Sequence, residues 1–574
     1  MIKHTERQMD ITVVLSGQAG QGIQTVETLL TRILKAVGLH VYATKEYMSR
    51  IRGGRNSTLI RFSDQPVKAF LDRIDILVPL HEGAIAHLGE RIGSETLIVG
   101  EEKVEVAEFD EKSRFVDIAF TRLASEIGDK VYSNTVAVGA LVNVLSVDRD
   151  KAIDCLKQYF QDKSPEIIAN NIEALKAGYE AAGSWKKSGV LNIKGEGPAE
   201  SDSQILVNGA QAVGLGAIGG GCDFVSSYPM SPSTGVLTFL AQKGREFGVI
   251  VEQAEDEIAA INMAIGAWYA GARAMVTTSG GGFALMTEGL SLAGMVESPL
   301  VIHLAQRPGP ATGLPTRTEQ GDLELALYAG HGEFPRIILA PGSLEDGFYL
   351  THQAFNLADK YQVPVFILTD QYFMDTYYNI DPFELKGLAV EKYIVEAADD
   401  YKRFELTGNG ISPRAIPGWG KGLVCIDSDE HDEQGHITED QQVRINMVNK
   451  RLKKLEAIQQ AAVEPTLWGP EHYKNLVICW GSTYHIVCEA VNRLQRKDTA
   501  VVHFKQIYPL PIQAVDYINK ADKTIVIENN ATAQFARFIK THAEVQVDHT
   551  ILRYDGLCFA SDSLASAISH FFSG

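Results

Sequence analysis

The hydrophobic positions of this chain fall into two alternating rhythms. Short, continuously apolar runs read as strands buried on both faces, as in a parallel sheet. Segments with apolar residues every three or four positions read as amphipathic helices. Residues 10–16, DITVVLS, form the first apolar run, and Val26, Leu29, Leu30, Ile33 and Leu34 then mark one face of a helix. Further amphipathic helices are predicted over 150–160 and 165–181. Strands are predicted at 222–225, 274–279, 300–304, 336–339 and 363–368, with helices near 283–296 and 347–361. The rhythm resumes with strands at 476–479, 500–504 and 524–527 and helices near 484–495, 514–519 and 532–542. Strands alternating with helices predict an α/β fold of three or more open, mostly parallel sheet domains.

Residues 185–203, WKKSGVLNIKGEGPAESDS, are polar and carry glycine and proline, so they read as a linker. The predicted domains are therefore 1–184, 204–383 and 384–574, the last with an insertion near 401–462. Within that insertion 401–440 is the least globular stretch. It is followed by a charged helix over 439–462 whose stripe Val443, Met447, Val448, Leu452, Leu455 and Ile458 predicts a packing face.

In such sheets ligands sit at the carboxyl ends of strands, and three strand ends here carry unusual residues. Ser226-Ser227-Tyr228-Pro229-Met230-Ser231-Pro232-Ser233-Thr234 follows the strand at 222–225. Gly280-Gly281-Gly282 follows the strand at 274–279, where a loop with positive φ and close approach of a ligand are predicted. Arg307 ends the strand at 300–304. Between the first two lies a helix opened by Glu255, Asp256 and Glu257, suited to the helix dipole, with Ala259, Ala260, Ala264, Gly266, Ala267 and Ala270 in its interior. The loop after Arg307 carries Thr316, Arg317, Glu319, Gln320 and Asp322; it reads either as part of a binding site or as solvated surface. Near the N-terminus Gly17-Gln18-Ala19-Gly20-Gln21-Gly22 joins strand to helix, but its GxxGxG spacing is not the dinucleotide GxGxxG, so a tight turn competes with a nucleotide site. Arg50, Arg52, Arg55 and Arg61 cluster around Gly53-Gly54, either to hold phosphates or as a solvated loop.

Composition narrows the choice. A net charge of −19 over 574 residues argues against nucleic acid as a partner. No apolar run is long enough to span a bilayer, and the N-terminus has no signal-peptide core, so a cytoplasmic protein without membrane partners is expected. The six cysteines, Cys155, Cys222, Cys425, Cys479, Cys488 and Cys558, are too dispersed for an iron–sulfur cluster or a structural zinc. His431, Asp432, Glu433 and His436 fit no standard metal-ligand spacing, and no metal is expected on this chain.

Taken together, Tyr228-Pro229-Met230-Ser231-Pro232-Ser233-Thr234, Glu257 and Arg307 resemble the pyrimidine-binding domain of the thiamine-diphosphate-dependent 2-oxoacid:ferredoxin oxidoreductases. The chain resembles their alpha subunit with the gamma domain fused at its N-terminus, and the last domain is similar to a transketolase C-terminal domain. The resemblance implies that Glu257 activates the cofactor by hydrogen bonding N1′ of its aminopyrimidine, for which the carboxyl must be dry. Tyr228, Pro229, Gly280 and Gly281 would line the cofactor site. Arg307 would hold the substrate carboxylate, with Ser231, Thr316 and Arg317 beside it, and Arg50, Arg52 and Arg55 are candidates for coenzyme A. The magnesium-binding Gly-Asp-Gly motif of this superfamily is missing here, as is a cluster motif. Both omissions imply a beta subunit that brings Mg²⁺ and a [4Fe–4S] cluster, in an alpha2beta2 assembly that reduces ferredoxin. The fused layout is most like 2-oxoglutarate:ferredoxin oxidoreductase, making succinyl-CoA and carbon dioxide. Pyruvate, indolepyruvate and branched-chain enzymes share the motifs, and a non-catalytic nucleotide-binding subunit is the alternative of another class.

Overall fold

The computed structural model describes residues 9–19, 22–49, 53–81, 83–101, 115–183 and 203–573. They form two compact units, one of Met1–Val207 with Thr376–Pro382, the other of Asn208–Asp375 with Phe383–Gly574.

The first unit opens with β1 (Asp10–Ala19), and its helix Ile23–Ala36 buries the predicted Val26, Leu29, Leu30, Ile33 and Leu34. Next come β2 (His40–Glu46), β3 (Gly53–Ser63), β4 (Ile74–Pro79), β5 (Ile92–Gly100) and β6 (Phe115–Asp117). β1 runs parallel to β4 but antiparallel to β3, which is antiparallel to β2, so this sheet is mixed. Its core gathers Val13, Leu15, Leu30, Ile33, Ile60 and Phe62 with Val136 and Leu141 of a covering helix. That helix, Ser133–Val144, meets Pro165–Ala181 backbone to backbone. A Cβ on Gly139 would stand 2.0 Å from the Leu175 carbonyl oxygen, and one on Gly178 1.9 Å from that of Val136. After β7 (Ile205–Asn208) the chain enters the second unit.

There β8 (Phe224–Ser227), β9 (Ile250–Gln253), β10 (Ala274–Thr278), β11 (Leu300–Gln306), β12 (Ile337–Leu339) and β13 (Pro364–Asp370) pair in parallel, in the order β12-β13-β11-β10-β8-β9. The chain then returns to the first unit for β14 (Tyr377–Ile380), which lies antiparallel to β2 and is held by Asn379, whose Oδ1 accepts the Val41 N–H at 2.8 Å. The first sheet thus reads β6-β5-β4-β1-β3-β2-β14-β7. Two strands inside the stretch 204–383, expected to form one domain, therefore belong to the sheet of the N-terminal unit. The third sheet holds β15 (Thr466–Trp468), β16 (Asn475–Trp480), β17 (Thr499–Phe504), β19 (Lys523–Glu528) and β20 (His549–Leu552), whereas β18 (Gln506–Tyr508) crosses to pair with β12.

The helix Gln441–Gln460 corrects the sequence reading. Of the predicted stripe Met447 and Ile458 are buried, Val443, Val448 and Leu455 are half-buried, and Leu452 is exposed. Between Met447 and Ile458 the buried residues are instead Lys450, Arg451 and Lys454. Lys450 Nζ and Lys454 Nζ each stand 2.5 Å from a different oxygen of the buried Glu297, and Arg403 donates to the Glu297 carbonyl at 2.7 Å. Burial pushes the Glu297 carboxyl up, but Lys454, Lys450 and Arg403 outweigh it and hold the group well below the ordinary range. The same burial pulls Lys454 down to about 8. The 401–440 stretch is correspondingly ordered: His431 is buried with its ring 3.9 Å from that of Phe404. Among the described residues no group of three or more His, Cys, Asp or Glu is placed to hold a metal ion, and no helix is long and apolar enough to cross a membrane.

Candidate active site

Three parallel strands, β8, β10 and β11, lie side by side in the second sheet, so their carboxyl ends form one rim. At the end of β8, Ser227 Oγ donates to the Thr277 carbonyl at 2.6 Å and fixes this strand to β10. Tyr228 beyond it is 40% exposed, Pro229 is half-buried, and Ser231 contributes its carbonyl oxygen to Arg307 Nη1 at 2.8 Å. The candidate substrate residues Ser231 and Arg307 are thus brought together, through the serine backbone.

The helix Glu257–Tyr269 starts as predicted, with Asp256 as its cap accepting the Ala259 N–H at 2.8 Å. The three acids at this helix start part company. Glu255 and Asp256 are exposed, whereas Glu257 is 3% exposed and its Oε1 is buried without a hydrogen-bond partner. A helix-start acid needs only solvent and the dipole; a buried, unpaired carboxylate oxygen needs a ligand or costs stability.

The triple glycine differs from the expected loop. Gly280, Gly281 and Gly282 form the first turn of the helix Gly280–Leu285, none of them at positive φ, and the predicted single helix continues separately as Thr287–Met295. Their use is close approach. A Cβ on Gly282 would stand 2.3 Å from Thr278 Oγ1 and 2.7 Å from Glu257 Oε1, and one on Gly280 would stand 2.3 Å from both carboxylate oxygens of Asp322. Gly281 is looser, 3.4 Å from the Ala311 carbonyl.

Arg307 is buried beyond β11, and its Nε has no partner. Burial pulls its guanidinium below the ordinary value, opposed by the charges of Asp322 and Glu257. Asp322 was read from sequence only as a polar loop residue, yet its Oδ2 is also buried and unpaired. The Ser279 hydroxyl at the end of β10 is a further buried group without a partner. Orphaned donors and acceptors around Gly280–Gly282 are the donor set of a site shaped for a polar ligand. They fit the heterocyclic edge of a cofactor at Glu257 and an anion at Arg307. Thr316 and Arg317 are half-buried on the following loop, where Arg317 packs against Gly556 and the neighbouring Thr318 N–H donates to the Gly556 carbonyl at 3.1 Å. Gln320 ties the same loop to Asn529 and to the Trp480 carbonyl.

The first unit carries a separate cavity of about 640 Å³ beside Gly22, the last glycine of the N-terminal loop. Gly22 takes φ 75° and leaves no room for a Cβ, which would stand 2.1 Å from Asn134 Nδ2. Ser133, Asn134 and Thr135 at one helix start, Thr25 at another, and Lys130 line the cavity together with Glu101. Two helix starts and a lysine suit a phosphate-bearing ligand. Arg50 and Arg52 lie outside the described residues, as does the side chain of Arg55.

Residues 12–181 match the family described as pyruvate ferredoxin/flavodoxin oxidoreductase, and residues 215–450 its thiamine diphosphate-binding companion, pyruvate flavodoxin/ferredoxin oxidoreductase. The chain is 32% identical to the 2-oxoacid:ferredoxin oxidoreductase subunit alpha of Sulfolobus sp, over 98% of this chain and 96% of that one. It is 28% identical to the 2-oxoglutarate oxidoreductase subunit KorA of Mycobacterium tuberculosis, over 98% and 92% of the two chains. A solved 2-oxoglutarate:ferredoxin oxidoreductase from Magnetococcus marinus, with 2-oxoglutarate, coenzyme A and succinyl-CoA bound, superimposes with a TM-score of 0.90 at 30% identity, covering 98% of this chain and 99% of that one.

Proposed function

The chain belongs to the 2-oxoacid:ferredoxin oxidoreductase family as an alpha subunit with a thiamine diphosphate-binding domain, and from there we propose that it acts on 2-oxoglutarate, with coenzyme A, to give succinyl-CoA, carbon dioxide and reduced ferredoxin. The observation that carries the site is a set of three buried, unpaired atoms, Glu257 Oε1, Arg307 Nε and Asp322 Oδ2, with Glu257 and Asp322 packed on the Gly280–Gly282 turn and both acting on Arg307. Relatives named for 2-oxoglutarate support the substrate.

Bound thiamine diphosphate supplies the nucleophilic carbon and the electron sink for decarboxylation. Glu257 holds a proton at N1′ of the pyrimidine; its dry position keeps that exchange from being short-circuited by water. Gly282 leaves room for the Glu257 carboxyl, and Gly280 and Gly281 with Tyr228 and Pro229 would hold the pyrimidine. Arg307, aimed by the Ser231 carbonyl, holds the 2-oxoacid carboxylate by a charge-assisted fork, and Ser231, Thr316 and Arg317 complete the substrate side. The partner beta subunit contributes the diphosphate site with Mg²⁺ and the [4Fe–4S] cluster, in an alpha2beta2 assembly. The phosphates of coenzyme A engage the N-terminal unit, through Arg50, Arg52 and Arg55 or the cavity at Lys130.

The deciding experiment replaces Glu257 by Gln, which can hydrogen bond N1′ but cannot exchange a proton there. Hydrogen–deuterium exchange at the thiazolium C2 of the bound cofactor should slow by about 10²–10⁴, while Glu255→Gln and Asp256→Asn leave it nearly unchanged. Normal exchange in Glu257→Gln sinks this assignment. A panel of 2-oxoacids decides the substrate: kcat/KM highest for pyruvate or a branched-chain acid would replace 2-oxoglutarate.

A further inference from the structure

The crevice holds a second carboxyl group that the reaction above leaves unused. The Asp322 N–H donates to Gln306 Oε1 at 3.1 Å, and Gln306 Nε2 donates to the Thr369 carbonyl at 3.0 Å, so the residue is fixed to β11 and β13. Its carboxylate lies against the bare face of Gly280. The Arg307 N–H donates to it, yet Oδ2 remains buried and unpaired.

The charges around it are unbalanced. Arg307 faces it from the end of β11, and Glu319 from the same loop. The helix Gly280–Leu285 offers no titratable side chain. On the helix Leu323–Tyr328, Glu324 is engaged with Arg537 at 2.6 Å. Glu257 lies near enough to act on Arg307 as well. One guanidinium thus serves Glu257 and Asp322 before any substrate arrives, and an incoming carboxylate would add another negative charge to a desolvated space. Burying an uncompensated charge is costly, and a buried carboxyl answers by taking a proton.

We infer that the 2-oxoacid anion enters this crevice together with one proton, which Asp322 holds, so that Arg307 is left to the substrate carboxylate. The inference rests on the reading of Arg307 as the carboxylate's partner. Burial raises the Asp322 carboxyl to about 7, against the opposing Arg307 N–H and with help from Glu319. The exchange therefore falls near neutral pH. Asp322 acts as a positioning residue, through the charge left on Arg307.

The test uses the assembled holoenzyme and two readouts. The KM for the 2-oxoacid should rise with pH above 7, approaching tenfold per unit, with kcat much less affected. In Asp322→Asn, which keeps the shape but cannot ionise, KM should become flat over that range and lie below the wild-type value at pH 8.5. Calorimetry with N-oxalylglycine, whose amide carbon resists attack, run in buffers of different ionisation enthalpy, should show uptake of roughly half a proton at pH 7 and most of one at pH 8. The uptake should vanish in Asp322→Asn. Wild-type binding without proton uptake at pH 8 overturns the proposal even if the variant does not fold. Arg307→Lys separates the two readings. If it weakens binding while Asp322→Asn still takes up the proton, only the role of Asp322 falls. If Arg307→Lys leaves binding and KM unchanged, the carboxylate is held elsewhere and both fall.

Discussion

Replacing Gly282 by Ala tests how tightly the first turn after β10 controls Glu257. The added methyl would begin 2.3 Å from Thr278 Oγ1, 2.7 Å from Glu257 Oε1 and 2.9 Å from Glu257 Cγ. Ordinary van der Waals contact needs about 3.5 Å or more, so something must yield by roughly 1 Å. Thr278 cannot do so cheaply, being buried at the end of a central strand. The methyl is therefore driven off Thr278 toward Glu257, which has no hydrogen bond at Oε1 to hold it and is the group displaced. Overpacking of this kind costs about 1–3 kcal/mol of stability, and a catalytic group displaced by about 1 Å loses on the order of 10² in rate. Exchange at C2 of bound thiamine diphosphate, read by NMR after acid quench, should therefore slow by about 10² in Gly282→Ala. A double variant with Glu257→Gln should be hardly slower than Glu257→Gln alone, because both changes act on one group. An unaltered exchange rate in Gly282→Ala, or effects that multiply in full in the double variant, would refute the reasoning.

Glu297→Gln strands Lys450 and Lys454 in the interior and should destabilise the chain by about 3–5 kcal/mol at pH 7 in urea titration. Because the folded Glu297 is held below its ordinary 4.5, its contribution is present above that pH and is lost as pH falls toward the depressed folded value. The variant's deficit should shrink accordingly in acid. Gly139→Ala and Gly178→Ala force a methyl into a carbonyl of the facing helix and should each lower the thermal midpoint of the N-terminal unit, by an amount corresponding to at least ~1–3 kcal/mol; an unchanged melting curve would contradict the backbone contact. The chain expressed without partners should be colourless and free of iron, since its cysteines are dispersed; a brown protein with about four irons per chain would place the cluster here after all.

The periodicity of apolar residues was enough to read the α/β architecture and the strand ends that matter, because parallel strands and their helices are specified locally. Relations between distant residues were not legible in the same way. The glycines at 280–282 stood out, but as a flexible loop; their closeness to Asp322 and Glu257 depends on partners brought near only by the sheet. Asp322 was visible as one polar residue among several, and the sign that it differs, a glycine about forty residues upstream with no room beside it, exists only in three dimensions. Lys450 and Lys454 look like the solvent face of a charged helix until Glu297, far earlier in the chain, is placed beneath them. Likewise nothing in TYYNI, at 376–380, told which sheet it would join.

That last strand imposes an order on synthesis. β2 has its neighbour on one side from β3, but its other side is completed by β14, which emerges from the ribosome only after the whole of 208–375. At about 5–20 residues per second the wait is roughly 10–30 s. During that time β2 offers an unpaired hydrogen-bonding edge, of the kind that recruits strands from other chains. A fragment ending near Val207 would carry the open edge permanently, so a soluble stand-in for the N-terminal unit needs the 376–382 segment grafted back on.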